Sequence, residues 1–66
     1  METISVISTR TRELYILTIL QEKDKQEFRI CNLSKTYICP CVFNTYEEAY
    51  ADIVRYEKEG KNIILK

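Results

Sequence analysis

The side chains best suited to chemistry are three cysteines, Cys31, Cys39 and Cys41, in a chain without histidine. Thiolates are soft ligands. On extended backbone the two ends of Cys39-Pro40-Cys41 point to the same side, so together with Cys31 they offer sulfur to a Zn or Cu(I) ion. A closed structural zinc site takes four ligands, however, and the chain has no fourth Cys or His to supply. The stronger reading is free thiols packed as small apolar residues. An odd number of cysteines in a short chain also argues against a disulfide framework. Neither a metal nor a cofactor is expected.

The missing histidine also excludes Ser-His and Cys-His catalysis, and the single glycine, Gly60, excludes a phosphate-cradling loop. Glu47 and Glu48 are neighbours in what reads as a helix, where adjacent side chains point about 100° apart and do not converge on one atom. They read as helix-start charges, and the chain is not expected to be an enzyme. Ten basic and ten acidic residues cancel, leaving no global field to draw the protein to nucleic acid or an anionic membrane.

A local field is a separate matter. A simple meander brings the turns carrying Arg10, Arg12 and Lys35, with Lys58 and Lys61 after the helix, to one end of the molecule. Glu2, Glu22, Asp24, Glu47 and Glu48 then gather at the other. Most such charge only solvates a surface. The functional version is a weak nucleic-acid module that meets phosphate through Arg10, Arg12, Lys35 and Lys61.

The elements that position these groups follow from hydrophobic period. With 66 residues, one proline, one glycine and no linker or repeat, the chain is expected to form a single domain over residues 1–66. Thr3 to Ser8 reads as a first strand, with Ile4 and Val6 on one face and Ile7 on the other. The polar stretch from Thr9 to Arg12 turns the chain. Leu14 to Gln21 reads as a second strand that is apolar on both sides, Leu14, Ile16 and Leu20 one way and Tyr15, Leu17 and Ile19 the other. Its shortness and β-branched content argue against a buried helix. Glu22 to Gln26 forms a charged hairpin loop, followed by a third strand from Phe28 to Leu33. Tyr37 to Phe43 is extended, but Pro40 has no N–H for a ladder and places this segment at an edge or bulge.

Thr45 and Glu48 stand at capping-box spacing: the threonine oxygen is expected to accept the N–H of residue 48 and the glutamate to reach back to Thr45. Tyr46, Ala49, Tyr50, Ile53 and Val54 then recur at helical spacing, and Gly60 stops the helix as a left-handed cap. Asn62 to Leu65 is a last short strand. The expected fold is thus α+β, an antiparallel meander sheet of four to five strands in the order β-β-β-β-α-β, with one C-terminal amphipathic helix on one face. The junction from Phe43 to Ala49, followed by Ile53 and Tyr56, resembles the strand-to-helix junction in the arm-binding domains of tyrosine integrases and in plant AP2 domains. That resemblance implies the same architecture of meander followed by helix. Those families read DNA with a basic sheet face; the corresponding residues here are Tyr15, Leu17 and Ile19, with Arg29 nearly alone.

One helix covers one sheet face. Leu14, Ile16, Leu20, Phe28 and Ile30 are expected to meet it, which leaves Tyr15, Leu17, Ile19, Cys31 and Leu33 as a partner-binding face with Tyr15 as its anchor. The function this favours is a small non-enzymatic interaction or regulatory protein that binds a protein partner or forms a homodimer. Short, motif-poor chains of this kind include phage- or plasmid-encoded inhibitors of host enzymes. The longest apolar run, Leu14 to Leu20, is far short of a membrane span, and the first residues lack the basic and apolar regions of a secretory signal. A cytoplasmic location is expected.

Overall fold

A computed structural model describes residues 2–65. It contains five strands, β1 (Ile4–Ser8), β2 (Leu14–Gln21), β3 (Phe28–Asn32), β4 (Tyr37–Ile38) and β5 (Asn62–Ile64), and one helix, α1 (Tyr46–Lys58), placed between β4 and β5. The strands form a single antiparallel sheet in the order β4-β3-β2-β1-β5. The expected α+β meander with one helix is the fold observed.

Helix α1 is bounded as its sequence dictates. Thr45 is extended, and its hydroxyl oxygen accepts the Glu48 N–H at 3.1 Å. The second half of the cap is displaced by one residue, because the Glu48 carboxylate accepts the N–H of Asn44 at 3.1 Å instead of that of Thr45. At the other end, the Lys61 N–H donates to Tyr56 O at 2.9 Å and the Gly60 N–H to Glu57 O at 3.0 Å, a Schellman closure. That geometry requires a left-handed residue, and Gly60 has φ of +76°. Ala49 and Ile53 are the buried helix residues; Tyr50, expected in the buried stripe, is exposed and stacks on Tyr46.

The core forms where α1 meets the sheet. Val6, Leu17 and Ile53 make its centre, with Ile4, Tyr15, Ile19, Ile30 and Ile64 packed around them. This corrects the expected assignment of faces. Tyr15, Leu17 and Ile19 lie under the helix, and Leu14, Ile16 and Leu20 point away from it. The cause is the β2–β3 register. A loop from Glu22 to Gln26 would set Leu20 opposite Phe28, but the observed pairs are Leu20 with Arg29 and Gln21 with Phe28. The loop is one residue longer, closed by the Glu22 N–H donating to Glu27 O at 3.2 Å. In a structure of period two, that single residue transfers a whole set of side chains to the other face.

Both sheet edges are blunted. Strand β4 is two residues long, and pairing beyond it is interrupted at Pro40 and resumes only at the Phe28–Phe43 bridge. At the β5 edge the Glu57 carboxylate accepts the Ile64 N–H at 2.8 Å, so α1 itself occupies a donor that another strand would need.

Candidate interaction surface

Strand alternation assigns the outer sheet face residue by residue. Ile7 stands opposite Leu14 and Ile63, and Ser5 opposite Ile16. Thr18 stands opposite Cys31, which in turn stands opposite Ile38. Leu33 and Leu65 extend the same registers beyond the strand ends, since their N–H groups donate to Ile16 O and Ser5 O at 2.8 Å each. Among the described residues no helix covers this side. Leu14, Ile38 and Ile63 are 52%, 53% and 51% exposed, and Leu20, Leu33 and Leu65 are exposed as well.

The centre of the face is different. Thr18 and Cys31 are buried because they are small and stand among Ile16, Leu20 and Ile38. The Thr18 hydroxyl donates to Glu2 O at 2.8 Å, so it places no unsatisfied polar group there. Apolar residues therefore ring a dry floor. At one margin Arg29 Nε lies 3.3 Å from Glu22 Oε1, an ion pair without hydrogen-bond alignment, and the same guanidinium donates through Nη1 to Pro40 O at 3.3 Å.

Of the residues expected at a partner-binding face, Cys31 and Leu33 lie on this open side, while Tyr15, Leu17 and Ile19 lie beneath α1. Ile7, Leu14, Ile16, Leu20, Ile38, Ile63 and Leu65 are the further apolar residues of the open face and were not assigned to it from sequence. The available signal was β1: Ile4 and Val6 need a covered face, and the tight turn pairing Ile7 with Leu14 puts Tyr15 and Leu17 beside them.

The cysteines separate. Cys31 is on the outer face; Cys39 pairs with Ile30 on the helix side through its N–H to Ile30 O at 2.8 Å. Cys41 is held above its ordinary value by the neighbouring Cys39 thiol, with desolvation adding to it. Among the described residues no group of three or more Cys, Asp or Glu side chains is arranged to hold a metal ion.

The basic residues do come to one end. The Thr9 N–H donates to Lys61 O at 3.0 Å, joining the β1–β2 turn to the α1–β5 turn, and Lys35 reaches Glu13 at 3.2 Å. Two of the four cations are neutralised there, Lys35 by Glu13 and Lys61 by Glu59 at 3.1 Å. The bond to Glu13 holds the Lys35 ammonium above its ordinary value. Arg10 and Arg12 form no ion pair among the described residues. No described helix is long and apolar enough to cross a membrane. Compared with protein-family models, curated proteins and solved structures, the chain matches none.

Proposed function

We propose that this is a non-enzymatic interaction protein that self-associates by stacking its outer sheet face on that of a second copy. The observation that carries this reading is the set of half-exposed Leu14, Ile38 and Ile63 on the same uncovered sheet face as the buried Thr18 and Cys31. Contiguous apolar surface of this kind marks an interface, and here it has no intramolecular lid. Two further features favour a second copy. The net charge is zero, so identical chains approach without mutual repulsion. Both edges are capped, by Pro40 and by Glu57, which turns association away from strand addition and towards the face. The free thiols suit a reducing compartment.

The sheet offers on the order of 400 Å² of plan area per copy at ordinary strand spacing, which is small for a stable interface. A weak, reversible dimer, with Kd on the order of 1 to 100 µM, is the expected outcome. Light scattering across concentration tests this: the mass should rise from one subunit to two. A mass that stays at one subunit throughout would reject self-association and leave a different protein as the occupant. The nucleic-acid reading rests on the two unpaired arginines. It predicts binding that weakens steeply with salt, whereas apolar stacking holds or strengthens.

A further inference from the structure

Beyond β4 the edge of the sheet bulges. On β3, Ile30 and Phe28 stand two residues apart, yet their partners across the edge, Cys39 and Phe43, are four residues apart. The Cys39 N–H donates to Ile30 O at 2.8 Å, and Phe43 exchanges both backbone bonds with Phe28, at 2.9 and 2.8 Å. Pro40, Cys41 and Val42 therefore form a loop with two residues more than the strand opposite. The loop is also fixed between its feet. Pro40 has a locked φ, and its carbonyl accepts Nη1 of Arg29 at 3.3 Å.

This frame holds two thiols and packs neither of them into the core. Cys39 stands at the foot of the bulge, half-buried, and Cys41 stands within it, exposed; both are free. Their sulfurs are neighbours. Cys31, by contrast, is buried on the outer face.

The donor set is confined to these two sulfurs. The chain has no histidine. Asp52 is within electrostatic reach of Cys41, but its carboxylate is engaged by Arg55 at 2.6 Å. Among the described residues no third Cys, Asp or Glu completes a cluster. Zinc closes its shell with four ligands and finds too few here. Cu(I) is the contrasting ion, soft, closed-shell and able to complete its coordination with two thiolates.

We infer that Cys39 and Cys41 form a two-thiolate clip for Cu(I). On binding, two S–H bonds break and two Cu–S bonds form. The ion displaces two protons to solvent, which leaves a bis-thiolate complex with one net negative charge and copper in its original oxidation state. The anchored backbone at Cys39, Pro40 and Phe43 limits the ordering needed to bring the second sulfur onto the ion.

The test uses the full chain. Cu(I), kept reduced with ascorbate without oxygen, is titrated in competition with the coloured chelator bicinchoninate. The protein should withdraw one Cu(I) per chain, and native mass spectrometry should find the copper on a single subunit. Cys39→Ser and Cys41→Ser should each weaken binding by at least about a hundredfold, because each removes the intramolecular second ligand. A folded Cys31→Ala protein should bind as the parent does. Circular dichroism checks the fold of each variant, and Cys41→Ser, at an exposed position, reads the clip independently of any effect of Cys39→Ser on folding. The inference is overturned if the chain withdraws no copper, or if Cys41→Ser keeps the parent's affinity. It is equally overturned if folded Cys31→Ala loses copper to the same degree, or if copper is found only bridging two chains.

Discussion

Leu14→Glu tests the stacked-face reading. Leu14 is 52% exposed in the subunit, so about half of the 1.5 to 3 kcal/mol available from full leucine burial remains to be gained in a dimer, roughly 1 kcal/mol per copy. A two-fold interface counts the loss twice. Pressing a carboxylate against the partner's apolar floor adds at least about 1 kcal/mol per copy, giving about 4 kcal/mol in all and close to a thousandfold in Kd. The folded subunit loses little, because the side chain is already half in water. Leu17→Glu is the matched control, since Leu17 is packed with Val6 and Ile53. A charge there is expected to unfold a domain whose total stability is about 3 to 10 kcal/mol. Sedimentation velocity with circular dichroism reads both variants, and the expected pair is a folded monomer for Leu14→Glu and an unfolded chain for Leu17→Glu. A Leu14→Glu protein that dimerises like the parent refutes the interface. A Leu17→Glu protein that stays folded and loses only its dimer would mean that the covered and open faces are the reverse of those described.

Asn62→Leu should raise thermal stability by about 1 kcal/mol, because it removes a buried acceptor that has no partner; a lower melting temperature would show that the oxygen is satisfied in solution. Gly60→Ala should cost about 1 kcal/mol, as the φ of +76° disfavours any Cβ even though nothing lies within 4 Å of the added atom; denaturant midpoints check it. Glu59 is held below its ordinary value of 4.5 by hydrogen bonds from Lys61 and Arg55. Near that pH the folded state therefore binds fewer protons than the unfolded chain, so this contribution is present above 4.5 and is lost as pH falls through 4.5 and then through the lower folded value. Melting curves from neutral pH down to that window should fall less steeply for Glu59→Gln, and identical slopes would show that the contacts do not persist in solution.

Where a residue type does local work, the sequence is readable. Thr45 must accept a helix N–H, Gly60 must turn left-handed and Pro40 cannot donate, so α1 and the broken β4 ladder were legible from single side chains. The pairing of β2 with β3 has no such marker. Glu22 to Glu27 carry charge or amide groups with no Asn-Gly or Asp-Gly signature to fix the turn, and a loop of five residues looks as acceptable as one of six. Strand β2 gives no help, because it is apolar on both sides and either set makes a credible core. The burial of the Asn62 oxygen was not legible either, since it depends on where α1 settles across the sheet.

The ambiguity of β2 also separates the parts of the reading that depend on register from those that do not. Slipping the hairpin by one residue exchanges Tyr15, Leu17 and Ile19 for Leu14, Ile16 and Leu20, but it leaves the amount of apolar surface and the number of helices unchanged. A chain with one helix and a central strand that is greasy on both sides must leave one side without a lid in either register. Register selects the identity of the exposed residues and therefore which substitution breaks the contact. It also decides what lies at the middle of the face. In the observed pairing this is Thr18 beside Cys31, small and dry, so a second sheet can approach closely without burying an unsatisfied hydroxyl. The slipped pairing would have put Tyr15 and Leu17 there, a bulkier surface that carries a phenol needing a partner of its own.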